Sequence, residues 1–260
     1  MRWQKNSGLL FLSLVPLLAS ATPPDVKTTI SRSVEANHVD FAASPHFNHK
    51  EEEDFGNGSK TYQITMIDGS PYRRLIAVNG KPLPPDQANQ ELQKEAAARR
   101  ERRSESPSAR SARMAKYERA RLRDNAMMSQ LTEAFDFTFE GEDTVRGFRV
   151  FILNAKPKPD YQPPNRDCEV LPGMEGKLWI DQKSFQWVQV KAEVIRPVSI
   201  AGYLAQVEPG TRFELEKDPV GDGTVWLVSH FRMQASAKVL FLFNKNSQEE
   251  DKFWDFQRID

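Results

Sequence analysis

A single cysteine, Cys168, stands among the 260 residues, so no internal disulfide can staple the fold and stability has to come from packing. Net charge is missing too. Lysine and arginine number 36 against 36 aspartates and glutamates, which argues against a dedicated nucleic-acid binder with its basic excess. There is no G-x-S-x-G nucleophile motif, and Cys168 has no histidine near it in sequence. His46 and His49 stand beside the acidic run 51–54, but zinc needs three or four ligands converging on a tetrahedron, and a continuous run of carboxylates is not spaced for that. His230 falls on the polar side of a strand pattern and is expected to be exposed. No internal repeat appears, and beyond the N-terminus no apolar run approaches the ~20 residues that cross a bilayer. These absences leave no catalytic residue, metal or cofactor to predict, and the expectation is a non-enzymatic protein.

What is present starts at the N-terminus. Arg2 and Lys5 precede the apolar run LLFLSLVPLLA (9–19), which ends in the small-x-small sequence Ala19-Ser20-Ala21. Residues 1–21 therefore read as a secretory signal peptide, with a retained N-terminal anchor as the alternative. The expectation is an exported, soluble mature chain of one domain, 22–260.

The mature sequence alternates with period two over most of its length. After a weakly signalled short helix at 26–41 and an edge strand within 45–55, Tyr62, Ile64 and Met66 oppose Thr61, Gln63 and Thr65. Asp68-Gly69 and Asn79-Gly80 supply turn chemistry. Composition turns helical at 86–103 and again at 109–131, a helical insertion of about 86–131 with one apolar stripe on its second helix. From Phe135 onward everything reads as strands, including an unusually long one from Thr224 to about Phe243. An antiparallel meander with one apolar face has to cover that face. The fold predicted is mainly β (α+β): a curved, half-open antiparallel barrel capped by the inserted helices.

The inward positions of that sheet line either a core or a hollow. Val188, Val190 and Val194 share one face with Ala192; Phe213 and Leu215, then Phe231 and Met233, continue it on later strands. Met127, Met128 and Leu131 are candidate lid contacts, since methionine repacks readily. Space left between sheet and helices would accept an acyl chain. Separately, residues 99–123 hold nine arginines and Lys116 against Glu101, Glu105 and Glu118. Arg99, Arg100, Arg102 and Arg103 are candidates for contact with anionic lipid headgroups or an acidic partner.

GKLWIDQKSFQWVQVKAEVI (176–195), SKTYQITMIDGSPYRRLIAVNGKPLPPDQ (59–87) and NAKPKPDYQPPNRDCEVLPGMEGKLWID (154–181) are similar to segments of exported bacterial proteins of the LolA/LolB-like outer-membrane lipoprotein-sorting family. The resemblance implies a half-open antiparallel barrel with a helical lid, a periplasmic location in a Gram-negative envelope, and a lipid or lipoprotein acyl chain held without chemistry. Sensor domains of envelope-stress regulators are similar too, which implies binding of a misplaced lipid as a signal. The residues themselves leave an alternative, an envelope sensor or interaction protein with a filled core that docks an acidic partner or anionic membrane through the Arg-rich helix. The helical insertion and the absence of a lipid-anchor cysteine depart from the carriers.

Overall fold

The computed structural model describes residues 24–200, 205–239 and 243–259. The segment read as a signal peptide lies outside them, as do Leu240 and Phe241 of the long strand pattern. The described residues begin with α1 (Val26–Ala43), followed by β1 (Phe47–Asp54), β2 (Ser59–Ile67), β3 (Ser70–Val78) and β4 (Lys81–Pro82). Next come α2 (Pro85–Ser104), α3 (Pro107–Asp124) and two single turns, α4 (Ala126–Ser129) and α5 (Leu131–Ala134). The remainder is β5 (Phe135–Val145), β6 (Phe148–Pro157), β7 (Met174–Asp181), β8 (Trp187–Val194), β9 (Val198–Ile200), β10 (Ala205–Val207), β11 (Arg212–Val220), β12 (Val225–Val239) and β13 (Phe243–Arg258).

All strand pairs are antiparallel, in the order β4-β3-β2-β1-β13-β12-β11-β8-β7-β6-β5, with the β9–β10 hairpin attached to β12. Mainly antiparallel structure with inserted helices is what the alternation predicts. The expected half-open barrel is not established: β4 and β5 are free edges that do not pair with each other, and the sheet is not closed. β1 was expected at an edge, but it pairs with both β2 and β13 and joins the two halves of the sheet.

Local chemistry explains the helices. Asp25 caps α1 by accepting from the Thr28 amide at 3.2 Å. Pro85 and Pro107 occupy first-turn positions of α2 and α3, where a missing N–H costs nothing. The single helix expected over 109–131 breaks at Asn125, whose amide donates to the Arg121 and Arg123 carbonyls and closes α3.

The main core lies on one face of the sheet, here the inner face. Leu153, Leu178, Ile180, Trp187 and Val194 pack there beneath Ile30 of α1, with Met127, Met128 and Leu131 of α4 and α5 against them. Each such large side chain contributes about 1.5–3 kcal/mol of burial. α1 touches β5 at one end of its length and β12 at the other. Its 18 residues reach ~27 Å at 1.5 Å each, close to the ~24 Å of five interstrand spacings that separate those strands.

β8 corrects one predicted face. Ile180 opposes Trp187 while Trp179 opposes Gln189, so Val188 is the extra residue of a bulge. The bulge keeps Trp187, Val190 and Val194 inward but turns Val188 outward, where it is fully buried against Val150 and Trp226 in a separate cluster. Val188 therefore does not share a face with Val190 and Val194.

Candidate functional site

Residues directly opposite across a sheet lie on one face, so register traces the inner surface from edge to edge. One row runs Leu153, Leu178, Val190, Leu215, Phe231, Asp251, Glu53. A parallel row runs Ala155, Gly176, Ala192, Phe213, Met233, Glu249. Both begin in aliphatic core and end in carboxylate.

Coverage changes along the same rows. Leu153 and Leu178 are buried at 0 and 2 % exposure, but Val190, Leu215, Phe231 and Met233 are only half-buried. Val190 and Phe213 still touch the edge of the main core. Of the residues picked from sequence, Met127, Met128 and Leu131 do pack over this core, and Val194 is sealed inside it at 0 % exposure. The inner face thus has a sealed half under α1, α4 and α5 and a half whose apolar side chains keep open surface.

The far end of the face is acidic. β1 alternation sets His49, Glu51 and Glu53 inward, with Glu52 and Asp54 on the other side, which scatters the acidic run considered for metal. Glu249 and Asp251 of β13 join the inward set. Arg73 pairs with two of these four carboxylates, 2.5 Å from Glu53 and 3.5 Å from Glu51, with its guanidinium over Tyr62. Burial, then repulsion from Glu249, Glu51 and Glu53, pushes the Asp251 carboxyl up to about 7. Burial also raises Glu51 and brings His49, stacked on Phe256, down to about 4.

Two hollows adjoin the sheet. A cleft of about 790 Å³ opens between α1 and the free edge strand β5, floored by Val26, Ile30, Val34, Phe135 and Phe137 and rimmed by Asp25, Lys27, Asp136 and Lys158. The other, about 530 Å³, lies over Gly176, and its charges pair in part among neighbours, Arg212 with Glu193 at 3.2 Å and Lys191 with Glu214 at 4.0 Å.

The polar anchor of α1 is absent from the sequence reading. Asp40, 3 % exposed, accepts from the Lys217 ammonium, from Gln186 Nε2 at 3.1 Å and from the Trp226 amide at 2.9 Å. Asn37 Oδ1 also accepts from Lys217, at 2.8 Å. Burial pulls the Lys217 pKa down, against the opposing pull of Asp40. A signal was available: Lys217 is in phase with Phe213 and Leu215, a cation at an inward position. His230, expected to be exposed, is instead held by Glu250 at 2.9 Å. Cys168 is fully buried in a short turn, and burial raises its thiol pKa.

α2 does not lie on the inner face. Arg73 and Arg74 are consecutive on β3 and so point to opposite sides; Arg73 meets the inner carboxylates and Arg74 meets Glu95 of α2 at 2.7 Å. The insertion expected as a lid therefore divides: α4 and α5 cover the core, while α2 lies against the opposite side of β3. The four arginines singled out divide as well. Arg102 donates to the carbonyls of Ile67, Ser70 and Pro71 at 2.8–3.1 Å, and Arg99 pairs with Glu95 at 2.7 Å. Arg100 and Arg103 are exposed.

No family model matches the chain, and no curated protein does. Among solved structures it is similar to a domain described as outer membrane lipoprotein-sorting from Vibrio parahaemolyticus, at 10% identity and TM-score 0.34, covering 88% of this chain and 92% of that one. A DUF1329 family protein from Desulfovibrio piger is similar at 10% identity and TM-score 0.33, over 90% of this chain and 92% of that one. A LolA superfamily protein from Nitrosomonas europaea follows at 8% identity and TM-score 0.32, over 90% and 93%.

Proposed function

We propose that this protein is a non-catalytic binder of a lipid or of a lipoprotein's acyl chain, exported to the periplasm and shielding that chain on the inner face of its sheet. The observation that carries this reading is the uncovered apolar row: Val190, Leu215 and Phe231, with Phe213 and Met233 beside them, continue a sealed core yet keep open surface. An acyl chain laid along those strands would cover that surface, at roughly 25 cal/mol for each Å² removed from water. The cleft between α1 and β5 gives a second apolar entry with charged residues at its rim, where a headgroup can stay hydrated. Among the described residues no helix is long and apolar enough to cross a membrane.

The test is native mass spectrometry of protein purified from an exporting host, together with displacement of a fluorescent fatty acid. The expected result is co-purifying lipid and saturable probe binding, weakened at least tenfold when Leu215, Phe231 and Met233 become serine. A lipid-free mass and no probe binding to the wild-type protein would end the carrier reading.

A further inference from the structure

We propose that the solvent side of α2 and α3 is a docking surface for an anionic lipid bilayer, separate from the acyl-chain face. The argument begins with how the basic residues of this insertion are used. Arg102 and Arg113 are spent on the β2–β3 turn: Arg102 on three carbonyls, and Arg113 on the Asp68 carbonyl at 3.2 Å, the Ser70 hydroxyl at 2.6 Å and the Glu105 carboxylate. Arg121 donates to the Phe41 carbonyl of α1 and lies over the Phe41 ring. Arg99 is neutralised by Glu95.

Five further cations stand on the solvent side of these helices. Arg100, Arg103, Arg110, Lys116 and Arg119 are exposed, and none of them makes an ion pair among the described residues. α2 has no buried residue at all, so its outer side contributes nothing to the core. Cations projecting from two successive helices, without an intervening pocket, match a broad surface of negative headgroups better than a shaped protein partner. Leu92 and Leu122, 50 and 54 % exposed on the same two helices, add apolar contact that headgroups and upper acyl carbons can cover and that an acidic polypeptide cannot. The inner carboxylates Glu51 and Glu53 lie across the sheet from α2, so they do not repel a membrane on this side.

Protein purified from an exporting host should co-sediment with vesicles containing 30% phosphatidylglycerol in phosphatidylcholine (roughly the charge density of an anionic leaflet), and not with phosphatidylcholine alone. Binding should fall at least tenfold in 0.5 M salt, about the reach of charge screening at that ionic strength. It should fall equally in the variant R100Q/R103Q/R110Q/K116Q/R119Q, whose melting temperature should match wild type because all five residues are exposed and Arg103's hydrogen bond, to the Arg99 carbonyl at 3.2 Å, stays within α2. The Leu215, Phe231 and Met233 serine variant should bind these vesicles as wild type does, which separates this surface from the acyl-chain face. Vesicle binding unchanged by the five substitutions would overturn the proposal. So would binding to polyglutamate with phosphatidylglycerol vesicles left in solution, which would assign the surface to an acidic protein instead.

Discussion

The two halves of the inner face are built from the same strand chemistry and treated in opposite ways. From β5 to β8 the inward residues are aliphatic and aromatic, and α1, α4 and α5 lie on them. From β12 through β13 and β1, Phe231 and Met233 give way to Glu249, Asp251, Glu51 and Glu53. A sheet face that only needed a core would have no use for the second pattern, since charged groups are costly to bury. The contrast teaches that coverage, not alternation, decides which inward residues are core. Leu178 and Leu215 share one cross-strand row with only Val190 between them, yet one is sealed and the other is not.

The sharpest way to break this arrangement is to cut the anchor that holds α1 over the sealed half. Asp40→Ala leaves the Lys217 ammonium buried without its carboxylate and should cost about 3–5 kcal/mol in urea denaturation. Adding Lys217→Met should restore most of that loss; if the double variant is no better than the single one, the ion pair is not what fixes the helix. Next in size is the paired comparison along the row. Leu178→Ala should cost about 3 kcal/mol and Leu215→Ala about 1 kcal/mol or less, because only the first leaves a cavity that packing cannot refill. Equal losses would mean both halves are covered.

Gly176→Ala is expected to cost about 1–3 kcal/mol, since its new methyl would sit 2.6 Å from the Lys191 carbonyl on β8. The smallest effect belongs to the acidic half, where Asp251 is only part-buried and solvent screens much of its repulsion, and it depends on pH. The Asp251 carboxyl titrates near 7 in the fold and near 3.8 when free, so the fold holds a proton that the unfolded chain releases. That contribution is neutral below pH 4, turns destabilising as pH rises from 4 to 7, and is constant above. Asp251→Asn should therefore raise the melting temperature by a few degrees at pH 8 and leave it unchanged at pH 4.

Much of the strand layout is legible in the sequence. Asp68-Gly69 and Asn79-Gly80 both adopt the positive φ that their tight turns require, and the alternation from Phe135 to Phe139 survives intact as one inward face. What escapes is anything that shifts phase or depends on a distant partner. The bulge at Val188 flips one valine of an apparently regular series, and no residue type in that series announces it. A second irregularity breaks the phase of β12, where Ser229 is the extra residue opposite the Glu216–Lys217 step of β11. Arginine composition in α2 and α3 looks uniform, yet Arg102 and Arg100 have opposite fates because the β2–β3 turn presents its carbonyls to one side only. Asp40 reads as an ordinary polar residue of a weak helix until Lys217 arrives from the far end of the chain.

That arrival has a consequence for how the molecule is made. Asp40 and Lys217 are 177 positions apart, so α1 leaves the ribosome long before β11 and is among the last elements to find its seat. Contacts of such long separation form late and slow the search for the native state. Until then the greasy surface beneath the helix stands open to water and to neighbouring chains, a window in which a chaperone or a lipid can occupy it first.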